Sequence, residues 1–224
     1  MKDQIVVITG GSGTIGRAVA AHVAEHGGTP VPVDRSPADS PYAFSLSGVD
    51  LTDAEQAEQA IAAVVERFGR IDGLVNVAGT FRFETIADGS VDTWDFLYQV
   101  NVRTALDASR AAIEPLAASR GSIVNVGAAN AALPATAGLG AYAASKAAVI
   151  KLTEALADEL KSRFVRVNAV LPSIVDTAPN RQAMPEADFD RWVTPEALAD
   201  AIGFLLSPAA RAVTGAALPV KGRI

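Results

Sequence analysis

The feature that most constrains this chain is a strand–glycine–helix unit at its start. Ile5-Val6-Val7-Ile8-Thr9 is a β-branched apolar run of strand length; glycines at 10, 11, 13 and 16 and an alanine-rich amphipathic stretch to about Glu25 follow it. Glycines permit a tight turn and close approach of a ligand to the backbone. A helix starting there offers its free N–H groups and positive dipole end to an anion. Gly11-x-Gly13-x-x-Gly16 matches the pyrophosphate-binding fingerprint in its required context, strand before and helix after. Gly10, Ser12, Thr14 and Ile15 complete the turn as candidate cofactor contacts. A second apolar strand, Pro30–Val33, ends in Asp34, eighteen residues past Gly16, where a carboxylate takes hydrogen bonds from an adenosine ribose. Asp34 repels a 2′-phosphate, so NAD(H) is favoured over NADP(H), while the neighbouring Arg35 and Arg17 soften that preference.

Strand and helix patterns alternate through the rest of the chain. A Pro/Ser-rich loop, Ser36–Ser47, precedes Gly48-Val49-Asp50-Leu51. A helix then carries Ala57, Ala60, Ile61, Val64, Val65 and Phe68 on one stripe, capped by Thr52 or Asp53. Strand Ile71–Ala78, a long helix around Val91–Leu116, strand Ser122–Val126, a helix to about Lys161, strand Val165–Leu171, helix Pro195–Leu206 and strand Gly215–Val220 complete the order. This alternation predicts an α/β fold: one Rossmann-like domain, a doubly wound parallel sheet of about seven strands with helices on both faces. In the long helix, Trp94, Phe96, Leu97 and Val100 are expected to pack a core or subunit face rather than contact a cofactor.

At 224 residues the chain is long enough for a substantial core. No apolar span approaches the length that crosses a bilayer. The first strand begins by residue 4, so no signal peptide is expected, and the expected location is cytoplasmic. No cysteine is present, and His22 and His26 have no companion ligands, so no metal is expected. A net charge of −6 without a basic run disfavours nucleic acid.

Tyr142 and Lys146 stand four residues apart at the start of a helical segment, on one face. An ammonium beside a phenol favours the phenolate and is expected to draw the tyrosine pKa towards neutrality.

The glycine turn together with Tyr-x-x-x-Lys resembles the short-chain dehydrogenase/reductase family over essentially the whole chain. The resemblance extends to Asn76-Val77-Ala78-Gly79 after the fourth strand, to Asp50-Leu51 as an adenine contact, and to Pro172 through Thr177 beside the nicotinamide. Thr214-Gly215 and Val220 echo the family's last strand. It implies that Tyr142 passes the proton, that Lys146 binds the nicotinamide ribose, and that Asn101 holds a water linking the lysine to solvent. It also implies a homodimer or homotetramer acting on a small molecule. Thr14 stands where the commonest family turn has glycine, and Ser173 replaces the glycine after Pro172.

The third departure is the family's catalytic serine. Thirteen residues before Tyr142 stands Ala129, within Gly127-Ala128-Ala129-Asn130-Ala131-Ala132, which holds no hydroxyl. Losing one donor at a developing oxyanion costs ~2.7–4 kcal/mol, which a conjugated substrate tolerates better than a simple ketone. The alanine, and the run Val170 to Phe189, resemble the quinonoid dihydropteridine reductases. The leading expectation is therefore hydride transfer to a carbonyl or conjugated imine, with quinonoid dihydropterin first to test. The alternatives are an alcohol/ketone (3-oxoacyl-type) oxidoreductase with a substitute for the serine, such as Asn130, and an inactive NAD(P)-binding regulator. A lid at about 173–194 offers Arg181, Phe189 and Trp192 as substrate contacts, the equal alternative being burial of the lid itself for the two aromatics and a solvated face for Arg181; Ala129 and Asn130 are the further substrate candidates.

Overall fold

Five consecutive buried side chains make β1 (Ile5–Thr9) a strand covered on both faces, the pattern of a parallel-sheet centre. In the computed structural model, which describes residues 1–37, 40–134 and 136–224, β1 pairs with β2 (Thr29–Asp34) and β4 (Gly73–Asn76). Ala38 and Asp39 of the Pro/Ser loop and Ala135 ahead of Tyr142 lie outside the described residues. β5 (Ser122–Val126), β6 (Arg166–Pro172) and β7 (Ala217–Val220) extend one side, and β3 (Leu46–Ser47) ends the other. Among the described residues the seven strands all run parallel, in the order β3-β2-β1-β4-β5-β6-β7. Strand order reverses between β1 and β4, so a crevice opens beyond their carboxyl ends.

Alternation along β1 divides the core. Ile5 and Val7 face α2 (Ala54–Phe68), α4 (Thr104–Ser119) and α5 (Gly140–Leu160), while Val6 and Ile8 face α1 (Thr14–Glu25) and α7 (Pro195–Leu206). Leu198, Ile202 and Leu205 of α7 are fully buried, each contributing about 1.5–3 kcal/mol. Local chemistry sets the helix ends. Asp53 caps α2 by accepting from Glu55 N, and Gly69 ends it at φ 74°. Thr194 caps α7 through Ala197 N, with Pro195 in the first turn.

Three boundaries differ from expectation. The long helix is interrupted: α3 (Val91–Tyr98) passes through a π-helical turn, Gln99–Arg103, into α4. β4 is shorter than Ile71–Ala78 because Thr9 Oγ1 accepts from Val77 N and Ala78 N, both at 3.1 Å, and takes them out of the ladder. The third strand precedes Val49–Leu51, since Gly48 turns the chain at φ 75°. A short helix, α6 (Ala178–Ala183), lies in the lid.

A buried polar seam crosses from β4 to α5. Asn76 Nδ2 donates to Asn125 Oδ1 (2.8 Å) and Ser109 Oγ (3.0 Å), and Asn125 Nδ2 donates to Thr153 Oγ1 (2.8 Å). Asn125→Ala strips one partner each from Asn76, which keeps Ser109 Oγ, and Thr153, which keeps Val149 O, so it should destabilise the protein by about 1–3 kcal/mol in all. Urea unfolding checks this; an unmoved midpoint would show that the seam adds nothing to stability.

Candidate active site

The glycine turn is built by backbone contact. Gly10 sits at φ 64°, and a Cβ there would lie only 2.9 Å from Ala78 N, so any side chain would push the turn off β4. A Cβ on Gly16 would strike the Gly10 carbonyl oxygen, and one on Gly11 would press into Pro32. Gly13 is different: the nearest neighbour of a Cβ there would be 3.4 Å away, leaving that face open to a ligand. α1 starts immediately after it.

A cleft of about 530 Å³ lies over this turn, and most residues expected at the cofactor line it. Gly10, Ser12, Gly13, Thr14 and Ile15 form its floor; Asp34, Arg35, Asp50 and Leu51 form one end; Ala78, Gly79 and Thr177 lie towards the other. Gly11 and Gly16 instead support the turn from behind. Asn76 is buried in the polar seam, and Pro172 is buried at the end of β6, so neither lines the cleft; Tyr142 and Lys146 are not on its wall either. Phe96 and Val100 do line it, correcting the expectation that their stripe only packs a core. Leu97 alone of that stripe is fully buried, and Trp94 is 40% exposed.

Asp34 is strongly held. Its Oδ2 accepts from Ser12 Oγ (2.6 Å) and Ser12 N (3.0 Å), and its Oδ1 from Ser36 N (2.9 Å). Burial works to raise its pKa, but hydrogen bonds from Ser12, Ser36 and Arg35 prevail and hold it below the ordinary value. The carboxylate is thus fixed in its charged form where an adenosine ribose would reach it. Arg17 lies outside this cleft, on a neighbouring hollow of about 550 Å³ walled by the Pro/Ser loop.

Tyr142 and Lys146 share one face of the first turns of α5. Lys146 Nζ is buried and donates to Val126 O at 2.8 Å. Burial lowers its pKa to about 8 and raises that of Tyr142 to about 12. The expectation of an acidic phenol is therefore corrected: in this structure desolvation governs both groups, and the ammonium is directed to a carbonyl. The Phe81 ring stands edge-on to Tyr142, with centroids 4.9 Å apart and planes at 75°.

The π-helical turn carries Asn101 inward, where it is almost fully buried. Its Oδ1 accepts from Thr80 N (2.7 Å), and its Nδ2 donates to Thr80 O (3.0 Å) and Ser145 Oγ (3.0 Å). Ser145 Oγ in turn donates to Tyr142 O (2.8 Å). Both amide protons are used, leaving one lone pair of Oδ1 for any other group. A Cβ on Gly79 would sit 2.8 Å from Asn101 Oδ1 and 3.2 Å from Lys146 Nζ, so both side chains converge on the space this glycine vacates.

Just after β5, Ala128 and Ala129 present buried methyl groups, and Asn130 is exposed on a short 3-10 turn. Among the described residues no hydroxyl stands in the place of the family serine; Ser122 is buried in β5 and Thr136 is exposed. Trp192 is buried rather than facing a ligand, and Phe189 lies between it and Arg181. Arg181 is held by Asp176 through two bonds of 2.6 and 2.7 Å, so its charge is already matched. The ends of the lid are clasped: Asp176 N donates to Val193 O (2.8 Å) and Val193 N to Ile174 O (3.0 Å).

A family model described as short chain dehydrogenase matches residues 4–188. The chain belongs to the short-chain dehydrogenase/reductase family. It is an NAD(P)-dependent oxidoreductase by that membership. It is 35% identical over 247 residues to 2-(S)-hydroxypropyl-CoM dehydrogenase 3 of Xanthobacter autotrophicus, covering 99% of this chain and 96% of that one. It is 31% identical to a 3-oxoacyl-(acyl-carrier-protein) reductase of Thermotoga maritima, covering 99% and 98%. The aldohexose dehydrogenase of Thermoplasma acidophilum superposes with a TM-score of 0.91 at 30% identity, covering 99% and 94%. A 3-ketoacyl-(acyl-carrier-protein) reductase of Brucella melitensis complexed with NADH gives 0.87 at 28%, covering 99% and 98%.

Within this dehydrogenase/reductase fold, sequence reasoning missed Thr9, Thr80, Ser145 and the Val126 carbonyl. Thr9 was the one visible signal, a lone hydroxyl ending an apolar strand. Among the described residues no cluster could hold a metal and no helix is long and apolar enough to cross a membrane. Gly79→Ala should force Asn101 and Lys146 apart. Turnover is expected to fall on the order of tenfold or more, and the overpacking to cost about 1–3 kcal/mol of stability; steady-state kinetics beside calorimetry checks both.

Proposed function

We propose that this enzyme interconverts a ketone and a secondary alcohol, using NAD(H) in preference to NADP(H). The observation that carries this reading is the Tyr142 side chain on the first turns of α5, with Lys146 one turn behind it and the cleft over the glycine turn nearby. The cleft fits a dinucleotide: Gly10 and Gly16 admit no Cβ, Gly13 leaves room, and a fixed carboxylate waits at the adenosine end. When bound, the nicotinamide supplies or accepts the hydride.

The chain's own residues manage orientation and the proton. With its pKa raised, Tyr142 carries its proton at neutral pH and can donate it to a carbonyl oxygen in the reducing direction. Lys146, lowered to about 8, keeps most of its charge at pH 7 and would stabilise negative charge developing at that phenol. Asn101, through Thr80 and Ser145, fixes the floor beneath both. Asn130, exposed next to the buried Ala129, is the nearest side-chain amide along the chain and the candidate to stand in for the serine.

The relatives named above favour the ketone/alcohol reading over quinonoid dihydropterin, since none of them is a pteridine reductase. Asp34 supports NAD(H), being committed as an anion where a 2′-phosphate would otherwise lie. The exposed apolar strip of Ile86, Val91, Trp94 and Tyr98 supports self-association as a dimer or tetramer.

Two measurements test this reading. Tyr142→Phe should lower the rate of NADH oxidation by ketones by about 10²–10⁴-fold, while NADH still quenches tryptophan fluorescence. Tight NADH binding by the wild type without turnover of any ketone, alcohol or quinonoid pterin would point to a regulator instead. Asp34→Ala should raise the affinity for NADPH relative to NADH by about tenfold or more, the effect of relieving a like-charge clash of a few kcal/mol. An unchanged ratio would remove the NAD(H) assignment.

A further inference from the structure

We infer that Phe81 is a specificity-determining residue, and that the site takes an uncharged ketone or secondary alcohol whose larger substituent is aromatic or bulky and apolar. This rests on the reading of Tyr142 as the proton donor. Phe81 packs its ring against Tyr142, yet remains 55% exposed, and Phe83 two residues on is 66% exposed. Apolar surface left open beside a reactive hydroxyl marks a place for an apolar ligand.

The two rings are held in place rather than loose. Thr80, immediately before Phe81, has both its backbone groups gripped by Asn101. Glu84 N donates to Gly138 O at 2.9 Å, tying the loop to the approach of α5. The Phe83 ring lies so close over Gly138, at φ 79°, that a Cβ there would overlap it. A preformed aromatic wall of this kind binds without an ordering penalty.

Charge argues in the same direction. The Phe81 loop and the lid together carry Glu84, Asp88, Asp176, Glu186, Asp188 and Asp190 against Arg82, Arg181 and Arg191. Each of these arginines is engaged: Arg82 over the Phe96 ring at 3.9 Å, Arg181 with Asp176, and Arg191 with the Arg223 carbonyl. The two segments thus carry more acid than base, which disfavours an anionic tail over either of them. The missing serine adds weight to the aromatic contact. With Tyr142 as the main donor to the carbonyl oxygen, packing of the substituent on Phe81 must fix which face of the carbonyl is presented.

The test uses the purified full chain with NADH and three probes: acetophenone, 2-butanone and acetoacetyl-CoA. The wild type should prefer acetophenone to 2-butanone by about tenfold or more in kcat/KM, the scale of pocket discrimination between apolar groups, and should turn over acetoacetyl-CoA least. Phe81→Ala should erase most of that preference, chiefly through KM for acetophenone, and Phe81→Leu should restore part of it. NADH binding by each variant reports that the fold is intact. Preference for acetoacetyl-CoA, or a ratio unmoved in Phe81→Ala with NADH still bound, overturns the inference. Turnover of no ketone by the wild type would instead overturn the ketone reading on which it rests.

Discussion

Thr9 ends β1 with its hydroxyl accepting from Val77 N and Ala78 N and lying 3.4 Å from Val75 O. That one group terminates the β1–β4 ladder and releases the chain on both sides. On one side Gly10 turns at φ 64° to rest on Ala78, and on the other Gly79 enters the space between Asn101 and Lys146. The cleft over the glycine turn and the meeting point of Asn101 and Lys146 are therefore two sides of a single strand ending. A parallel sheet whose order reverses here must open a crevice; the threonine decides how closely its walls approach.

Behind that crevice the design is dry. Lys146, Asn101, Ser145, Asn125 and Asn168 are all buried, and most of their polar atoms find partners within the protein. Desolvation moves the lysine down and the tyrosine up, so the two groups lean towards their neutral forms. The phenol therefore keeps its proton more firmly than a free tyrosine, while the ammonium gives its own up more readily. Burial thus shapes the chemistry more than the proximity of the pair, despite their spacing along the helix.

Much of this was legible in the sequence, and the reasons are specific. β5 and α7 fall at the expected residues because a buried β-branched run and a Thr-Pro helix start are local signals. The glycine turn, Asp34 and the Tyr142–Lys146 pair were legible because each rests on spacing. The π-helical turn was not, since one extra residue per turn leaves no compositional trace, and neither was the role of Thr80, whose backbone and not its side chain is recognised. Trp192 and Arg181 were left between two readings because a lid's aromatic and charged residues look alike whether they meet a ligand or one another. The tyrosine's pKa went the other way because helical spacing says nothing about water.

The clasp between Asp176 and Val193 sets where this segment can give. Residues 177–192 leave and rejoin the body at nearly one point, so the exposed turns between can rearrange without pulling on β6 or α7. Thr177 on the cleft wall and buried Trp192 are the anchored feet of that span, and any swing pivots about them.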